Sequence, residues 1–367
     1  MASSGEGSSE EKQGEEKSEG NDEETFPVIV IGASTGGFAV IRSIIKELPE
    51  HFRAALLIVW HISPETEGMM PFILNREGAL PAANAINAEP VLPGRIYVAP
   101  PDHHMIVEGG NVLLTHGPKE NRFRPAIDPL FRSAAYHFGS RVIGIILTGA
   151  LDDGTAGLWA VKNYGGTAIV QDPAEAEASS MPASAARHVA VDYIVPSTSI
   201  AGLLQKLVSQ PRNENRQPMP ADNKLTGIEV NIAKTGNSFE SGIMKMGELT
   251  PYTCPECHGV LVNIKEGSIS RFRCHTGHAF TSATLLAAIT DTIEDSLYSA
   301  IRGVEESIML LNHIGDHYAE ANEPHLAAAY FRKAKEAAER VEGVRKAALS
   351  HEQLSKENIR VEAEEIS

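Results

Sequence analysis

The sequence predicts an α/β protein with a doubly wound, mostly parallel sheet, followed by a small cysteine-containing module and an α-helical hairpin. Three observations support this prediction. Short apolar runs alternate with helix-length segments over residues 26–208, three cysteines stand close together between residues 248 and 280, and apolar residues recur at helical spacing over 281–350. Alternating strands and helices are typical of an open sheet covered on both faces.

The chain has 367 residues, of which 42% are hydrophobic and 22% are charged. This composition is ordinary for a globular protein of roughly two or three domains. Apolar runs such as Ala54–Trp60 are far shorter than a membrane span, and no apolar stretch follows the N-terminus, so we expect neither membrane insertion nor a secretory signal. The net charge of −16 argues against general nucleic-acid binding. Three cysteines cannot build a disulfide framework, which favours a cytoplasmic location.

Residues 1–25 are predicted to be a disordered acidic tail. Residues 1–24 hold nine acidic and two basic side chains and almost no apolar ones. Such a segment cannot bury enough apolar surface to offset the chain entropy lost on folding. We expect a solvating tail, the alternative being an electrostatic tail that adjusts partner binding.

Residues 26–208 carry the strand candidates, whose near-continuous Ile, Val and Leu content is typical of strands buried on both faces. The predicted strands are Val28–Ile31, Ala55–Val59, Arg95–Ala99, Val142–Leu147, Thr167–Val170 and Tyr193–Val195. Helices are predicted at Gly37–Glu47 and Gly154–Tyr164. A glycine-containing turn over 108–111 predicts a hairpin between Met105–Val107 and Val112–Leu114.

Beyond this domain, residues 209–247 are rich in Pro, Asn, Gln and Gly and lack periodicity, so they are predicted to be a linker. Residues 281–350 are predicted to be a helical hairpin, because apolar side chains recur at helical spacing from Leu285 to Leu311 and the pattern breaks near Pro324. Residues 351–367 are charged and predicted to be frayed.

The three cysteines stand at metal-ligand spacing. Cys254 and Cys257 form one knuckle, sixteen residues separate Cys257 from Cys274, and His278 lies four positions beyond Cys274. A hairpin over 259–272 would bring both knuckles together, and zinc prefers thiolate and imidazole ligands. We therefore predict a zinc ribbon over 248–280 with a closed, structural site. The fourth ligand is predicted to be His278 rather than His275 or His258, which adjoin cysteines and would be cramped.

Arg271 and Arg273 flank a phenylalanine in this ribbon and could form a small basic patch of the kind that binds nucleic acid in some zinc ribbons. Two arginines in an acidic chain are weak evidence for such binding. We expect a role in folding or in protein interaction instead.

A glycine-rich turn follows the first predicted strand, with glycines at 32, 36 and 37 around Ser34. This spacing does not fit the G-x-G-x-x-G pattern of dinucleotide binding, and Phe38 stands where a phosphate-binding loop needs lysine. The remaining interpretation is a serine nucleophile, for which glycines admit the substrate and the helix N-terminus favours developing negative charge. Alone, such a serine is usually only a turn residue.

Two companions of Ser34 support catalysis. His61 follows the second predicted strand, and Asp152 and Asp153 follow the strand at 142–147. Ligands bind at the carboxyl ends of the strands in open α/β sheets. An alcohol nucleophile needs a base, and the base needs an acid that fixes its tautomer. The order Ser, His, Asp differs from the Ser, Asp, His order of α/β-hydrolases.

These segments resemble the protein-glutamate methylesterases of the CheB type. The resemblance covers about residues 26–207 and rests on ordered motifs at Gly32–Gly37, Trp60–Pro64, Tyr97–Met105, Arg124–Ala135, Leu147–Gly157 and Gln171–Pro182. It implies Ser34 as nucleophile, His61 as base and Asp153 as the acid that orients the base, with Asp152 as a less favoured alternative. Near this acid, Ala150, Leu151 and Asp152 replace Met, Gly and Asn of the family pattern.

The resemblance implies hydrolysis of glutamate γ-methyl esters on methylated chemoreceptors or receptor-like proteins, with release of methanol, and glutamine deamidation as a related reaction. The backbone N–H near Ala150 is expected to donate to the oxyanion. Water is the second substrate, so no cofactor is expected for catalysis. His103, His104, Arg124 and Asp128 lie in matching segments and are expected to be structural or rim residues.

Many members of this family carry an N-terminal phospho-receiver domain, for which the 25 residues before the first strand leave no room. We therefore expect regulation, where it occurs, through a separate protein. Two other functions stay open at this stage: a non-catalytic scaffold that binds methylated signalling helices, and a hydrolase of another ester or amide. The presence of all three triad residues argues against the scaffold.

Overall fold

The computed structural model of the protein describes residues 26–66, 68–210 and 223–352, together with 354, 359 and 362–363. The tail predicted at 1–25 lies outside the described residues, as does most of the segment predicted to fray at 351–367. None of the helices in the described part is long and apolar enough to cross a membrane.

The first half of the described chain alternates strands and helices. Its elements are β1 (Val28–Ala33), α1 (Gly37–Lys46), β2 (Ala55–Trp60), α2 (Met70–Glu77), β3 (Ala82–Asn84), β4 (Ile96–Val98), β5 (His104–Glu108), β6 (Asn111–Thr115), α3 (Ile127–Phe138), β7 (Val142–Ile146), α4 (Thr155–Asn163), β8 (Thr167–Gln171), α5 (Ser180–His188), β9 (Tyr193–Val195) and α6 (Ser197–Ser209). The predicted strands, helices and hairpin are all present, with ends that differ by one or two residues.

Seven of these strands form one sheet in the order β3-β4-β2-β1-β7-β8-β9, and every neighbouring pair is parallel. Alternate residues of β1 enter opposite layers of the core: Val28 and Val30 pack beneath α3 and α4, whereas Ile29 and Ile31 pack beneath α1 and α6. The predicted doubly wound, mostly parallel sheet is thereby confirmed. Burial on both faces explains why β1 reads as a continuous apolar run.

The second half forms a module of different architecture. Its elements are α7 (Asn223–Thr235), β10 (Glu248–Thr253), β11 (Val260–Glu266), β12 (Ile269–Cys274), β13 (Ala279–Thr281), α8 (Ser282–Glu320) and α9 (Pro324–Leu349). The four strands form an antiparallel sheet in sequence order, and α8 packs along α9 around Ile301 and Val341. We call β10–β13 with α8 and α9 the C-terminal module.

Within the segment predicted to be a linker (209–247), residues 211–222 lie outside the described residues, and residues 223–235 form α7. This helix packs against α3, β5 and β6, and it buries Ile232 and Ala233 together with the carboxylate of Glu229. The apolar pattern of the sequence did not predict this helix, because its buried face includes the charged residue Glu229. Glu229 is tolerated there because arginines from two other elements pair with it.

Candidate active site

Strand register places the first two predicted site residues side by side. In the parallel pair of β1 and β2, Ala33 lies opposite Trp60, so the next residue of each strand, Ser34 and His61, leaves the sheet at the same edge. The N–H of His61 donates to the carbonyl of Ala33 at 3.1 Å, and the N–H of Ser34 donates to that of Thr148 at 3.0 Å. The carboxyl ends of three central strands, β1, β2 and β7, therefore meet at this site.

The turn that presents Ser34 needs glycine for two reasons. Gly36 has a φ of +73°, in the left-handed region, and a Cβ there would lie 2.5 Å from the Glu177 carboxylate. The carbonyl of Ser34 accepts hydrogen bonds from the indole of Trp60 at 2.9 Å and from the N–H of Gly37 at 2.9 Å. These contacts hold the serine backbone while its side chain faces the cleft.

The ring of His61 is fixed by one carboxylate and one aromatic face. Its Nε2 lies 2.8 Å from Oδ2 of Asp153, and the ring stacks on Phe123 with centroids 3.8 Å apart. Its other nitrogen, Nδ1, is buried and has no hydrogen-bond partner among the described residues. Because Nε2 points to the acid, the neutral ring carries its free lone pair on Nδ1.

Asp153 is 1% exposed, and hydrogen-bond donors surround its carboxylate. Oδ2 accepts from the N–H of Ile127 at 2.7 Å, and Oδ1 accepts from Nδ2 of Asn121 at 2.8 Å and from the N–H of Asp128 at 3.3 Å. The two backbone donors belong to the first turn of α3, whose own N-cap residue is an alanine without a capping side chain. Asp153 thus caps α3 from a distant part of the chain.

The pKa values of two neighbouring carboxyl groups, Asp153 and Asp128, are shifted in opposite directions. Burial raises the pKa of Asp153, but the hydrogen bond and charge of His61, with the donors from Ile127 and Asn121, outweigh burial and lower the pKa below its usual value. Burial and the nearby charge of Asp153 raise the pKa of Asp128 to about 7. The acid beside His61 therefore stays ionised at neutral pH, and its neighbour is the carboxyl group that takes up a proton.

A cleft of about 730 Å³ contains Ser34 and His61 and is bordered by positive side chains. Lys119, Arg122 and Arg124 lie along it, and so does Ala150, whose N–H was predicted to serve the oxyanion. These three cations outnumber the two carboxylates that line the cleft, Asp102 and Glu177, which favours ligands that carry carboxylates.

The other residues singled out in matching segments have structural contacts. His104 is fully buried, with Nε2 2.9 Å from the Pro118 carbonyl, and Nδ1 accepts from the N–H of Ala126. Nδ1 of His103 lies 3.0 Å from the carbonyl of Pro101. Arg124 donates to Asp102 and to the carbonyl of Gly117. Asp128 accepts from the N–H of Gly157, which ties α3 to α4.

Sequence reasoning missed Asn121. It lies in a loop, 1% exposed, with a φ of +51° that asparagine tolerates better than most residues. Its side chain contacts Asp153 and also the C-terminal module. Nothing local in the sequence marks it, because both partners are distant along the chain.

Comparison with known proteins places this geometry in a family. The CheB methylesterase profile matches residues 29–204. A relative from Leptospira interrogans, named a putative protein-glutamate methylesterase/protein-glutamine glutaminase, is 38% identical over 183 residues, which are 50% of this chain and 95% of that protein. The chain belongs to the CheB methylesterase family.

A relative from Thermotoga maritima, named a protein-glutamate methylesterase/protein-glutamine glutaminase, is 36% identical over 185 residues, which are 49% of this chain and 54% of that protein. The crystal structure of the Thermotoga maritima CheB methylesterase catalytic domain aligns with 50% of this chain and 100% of that domain, at 36% identity and a TM-score of 0.48. Both matches cover about half of this chain.

This CheB-family chain departs from the family pattern beside the acid, and two of the three departures, Leu151 and Asp152, have a structural counterpart. Leu151 replaces a glycine of that pattern and keeps a left-handed backbone with a φ of +63°, which is strained for leucine. Asp152 replaces an asparagine, and its Oδ1 accepts a hydrogen bond from the Thr281 hydroxyl at 2.5 Å. The loop that carries Asp153 is therefore in contact with the C-terminal module.

Cys254, Cys257, Cys274 and His278 come together as a group that could hold a metal ion, with ligand atoms within 4.8 Å of one another. The Sγ atoms of Cys257 and Cys274 are 3.7 Å apart, and Nδ1 of His278 lies 3.7 Å from Cys254 Sγ and 3.6 Å from Cys274 Sγ. Tetrahedral zinc, with Zn–S of about 2.3 Å and Zn–N of about 2.1 Å, requires edges of about 3.8 Å and 3.6 Å. These three spacings and the thiolate and imidazole donors are compatible with zinc, and the whole group lies within 4.8 Å.

Arg271 and Arg273 do not form a surface patch. Both are at most 2% exposed and contact Glu120 and Glu229. We call the buried ion cluster the set of Glu120, Glu229, Glu266, Arg132, Arg271 and Arg273, which joins α3, α7 and the ribbon. The arginines predicted as a weak candidate for nucleic-acid contact are internal structural residues.

Proposed function

We propose that the protein hydrolyses γ-methyl esters of glutamyl side chains on methylated chemoreceptor-type proteins, with Ser34, His61 and Asp153 as its catalytic triad. One observation carries the proposal: a buried histidine, fixed by an ionised aspartate through Nε2, keeps Nδ1 free in the cleft that holds Ser34. Membership of the CheB family and the names of the relatives support the substrate class.

In the proposed reaction, Nδ1 of His61 removes the proton of the Ser34 hydroxyl as Oγ attacks the ester carbonyl. The C–O bond to methoxide then breaks, and the same nitrogen returns the proton to form methanol, a poor leaving group that needs this help. Water attacks the acyl-enzyme by the same route and releases glutamate. The acid Asp153 stays ionised throughout and stabilises the imidazolium that forms in each step.

Backbone N–H groups of the cleft would stabilise the tetrahedral oxyanion, and the N–H of Ala150 is our candidate donor. An amide in place of the ester would lead to glutamine deamidation by the same steps, with ammonia as the leaving group. The mechanism uses water and protein groups alone, so we propose no cofactor for catalysis.

The positive cleft border favours a carboxylate-rich substrate. Lys119 and Arg122 are each about a third or more exposed and lie along the cleft, where they would meet acidic side chains flanking a modified glutamate. A methylated receptor helix rich in glutamate has this chemistry. A separate regulatory protein remains part of the proposal, as does a cytoplasmic location.

We further propose that Cys254, Cys257, Cys274 and His278 hold a structural zinc ion. Four protein donors close the coordination sphere, so the metal would stabilise the ribbon and take no part in hydrolysis. In this division of the chain, residues 26–208 form the catalytic domain, residues 248–280 form the zinc ribbon and residues 281–350 form the helical hairpin.

The test is methanol release from a methylated chemoreceptor fragment, with Ser34→Ala as the matched variant. Release by the wild type and none by Ser34→Ala supports both the reaction and the nucleophile. If folded, zinc-loaded wild type releases no methanol, the substrate is wrong. Hydrolysis of p-nitrophenyl acetate would then indicate a hydrolase of another ester, and its absence would indicate a non-catalytic scaffold.

A further inference from the structure

The start of helix α8 is anchored beside the catalytic acid. Thr281, the N-cap residue of α8, donates its hydroxyl to Asp152 and accepts the N–H of Thr284 at 3.1 Å. Asp152 directly precedes Asp153 in the chain. The first turn of a helix from the C-terminal module thus contacts the loop on which the triad depends.

Asn121 connects this helix start to the acid itself. Its Nδ2 donates to Oδ1 of Asp153 at 2.8 Å and to Oδ2 of Asp128 at 2.9 Å. Its Oδ1 accepts from the N–H of Thr281 at 3.1 Å and from the hydroxyl of Thr284 at 3.2 Å. All four hydrogen bonds open to a side-chain amide are made. If the amide were flipped, its oxygen would face the two carboxyl groups and its nitrogen would face the two threonine donors. The threonines and the carboxyl groups therefore select the orientation in which Nδ2 faces the carboxyl groups.

The backbone around Asn121 is held by the same module. The N–H of Asn121 donates to the carbonyl of Ala279 at 2.7 Å, and Glu120 forms a parallel bridge with Ala279. The Glu120 carboxylate accepts from Arg132 at 2.5 Å and from Arg273 at 2.8 Å inside the buried ion cluster. Asn121 therefore cannot shift without moving a charged, buried interface.

We propose that Asn121 is a positioning residue for the triad, and that Thr284 of the C-terminal module holds its amide in the orientation that fixes Asp153. The inference rests on the proposed role of the triad and assigns the module a place in catalysis. Asp153 aims the His61 ring, and sub-ångström misplacement of a reacting group is costly in rate. The module is in this sense part of the active site, although the structure places none of its side chains along the cleft.

The test compares four full-length, zinc-loaded variants with the wild type. Thr284→Val removes the hydroxyl at nearly constant volume, and Thr284→Ser keeps the hydroxyl. Thr290→Val is the matched control, because Thr290 lies on the same helix, is 1% exposed, and donates only to the carbonyl of Leu286 in its own helix. Asn121→Ser removes the amide itself and keeps the inference testable should Thr284→Val fail to fold.

The first readout is the rate at which a fluorophosphonate phosphonylates Ser34, measured by intact mass at a temperature where every variant is folded. In this step the Ser34 oxygen bonds to phosphorus, fluoride leaves, and His61 takes the hydroxyl proton. We expect Thr284→Val and Asn121→Ser to label about tenfold more slowly, with Thr284→Ser and Thr290→Val within about twofold of wild type. In the methanol assay the loss should fall on kcat, with KM unchanged.

Equal labelling rates for Thr284→Val and Thr290→Val would overturn the inference, whether both match the wild type or both are slow. A wild type that labels but releases no methanol would refute the proposed substrate alone, and the labelling rates would still decide the positioning role. A wild type that never labels at Ser34 would overturn the proposed function and this inference together.

Discussion

Glu229→Gln is expected to destabilise the protein strongly, because it removes one charge from the middle of the buried ion cluster. Glu229 is fully buried and contacts three guanidinium groups: Arg271 at 3.0 Å, Arg132 at 3.4 Å, and Arg273. The cluster contains three arginines and three glutamates, so its charges balance. Glutamine keeps the shape of the side chain but leaves one buried positive charge without a counter-charge.

Two routes give the same magnitude for this loss. Removing one partner of a buried ion pair typically costs about 3–5 kcal/mol. Independently, burial raises the pKa of Glu229, but Arg271, Arg273 and Arg132 outweigh burial and lower the pKa to about 2 from 4.5. That difference corresponds to about 3 kcal/mol of the free energy of unfolding. The contribution is complete above about pH 4.5 and is lost as the pH falls toward 2, because the folded-state pKa is the lower one.

The assay is urea unfolding at pH 7 and pH 4, followed by far-UV circular dichroism. Glu108→Gln is the control. Glu108, at the end of β5, also forms an ion pair with α7, through Lys234, but both of these side chains are 42% exposed. We expect a loss of about 3 kcal/mol for Glu229→Gln and below about 0.5 kcal/mol for Glu108→Gln at pH 7. The difference in the free energy of unfolding between wild type and Glu229→Gln should be smaller at pH 4 than at pH 7. An equal loss in the free energy of unfolding for both variants at pH 7 would refute the stabilising role of the Glu229 charge.

Three further predictions concern the site. His61→Gln should lower methanol release by about a thousandfold or more at a temperature where the variant is folded, and full activity would contradict its role as base. Arg122→Ala should raise KM several-fold for an acidic receptor fragment. Asp291→Asn, which frees Arg122 from an ion pair, should lower KM. Identical KM values for both variants and the wild type would refute a contact between Arg122 and the substrate. Mass spectrometry should detect one bound zinc ion in the wild type and none in Cys257→Ser, and the variant should have a lower Tm.

The sequence predicted the sheet well because each strand carries its own local signal. Strands such as Val28–Ala33 are apolar runs bounded by turn residues, and a two-glycine turn separates β5 from β6. The three-residue strand Ala82–Asn84 was missed, since it is too short and too polar to show a pattern. It is an edge strand of the sheet and pairs only with β4.

The candidate site was predictable to the extent that its residues follow strands. Ser34 and His61 leave adjacent parallel strands at matching register, so the expectation that they meet follows from topology alone. Asn121 and α7 were not predictable, because their contacts join distant segments of the chain. Asn121 lies 160 residues from Thr281, and Glu229 of α7 lies 42 residues from Arg271. Arg271 was misjudged for the same reason: a charged residue looks exposed until its buried partners are known.

The same long-range contacts decide how the two halves of the chain depend on each other. A chain ending near residue 208 would leave Glu120 and Arg132 with each other but without Arg271, Arg273 and Glu229 around them. The side-chain Oδ1 of Asn121 would lose the N–H of Thr281. Water would solvate the exposed charges, so such a fragment could still fold around the parallel sheet. In such a fragment, however, only the carboxyl groups of Asp153 and Asp128 would hold the Asn121 amide in its orientation. On the proposed mechanism, the C-terminal module therefore completes the catalytic unit and is more than an appendage to it.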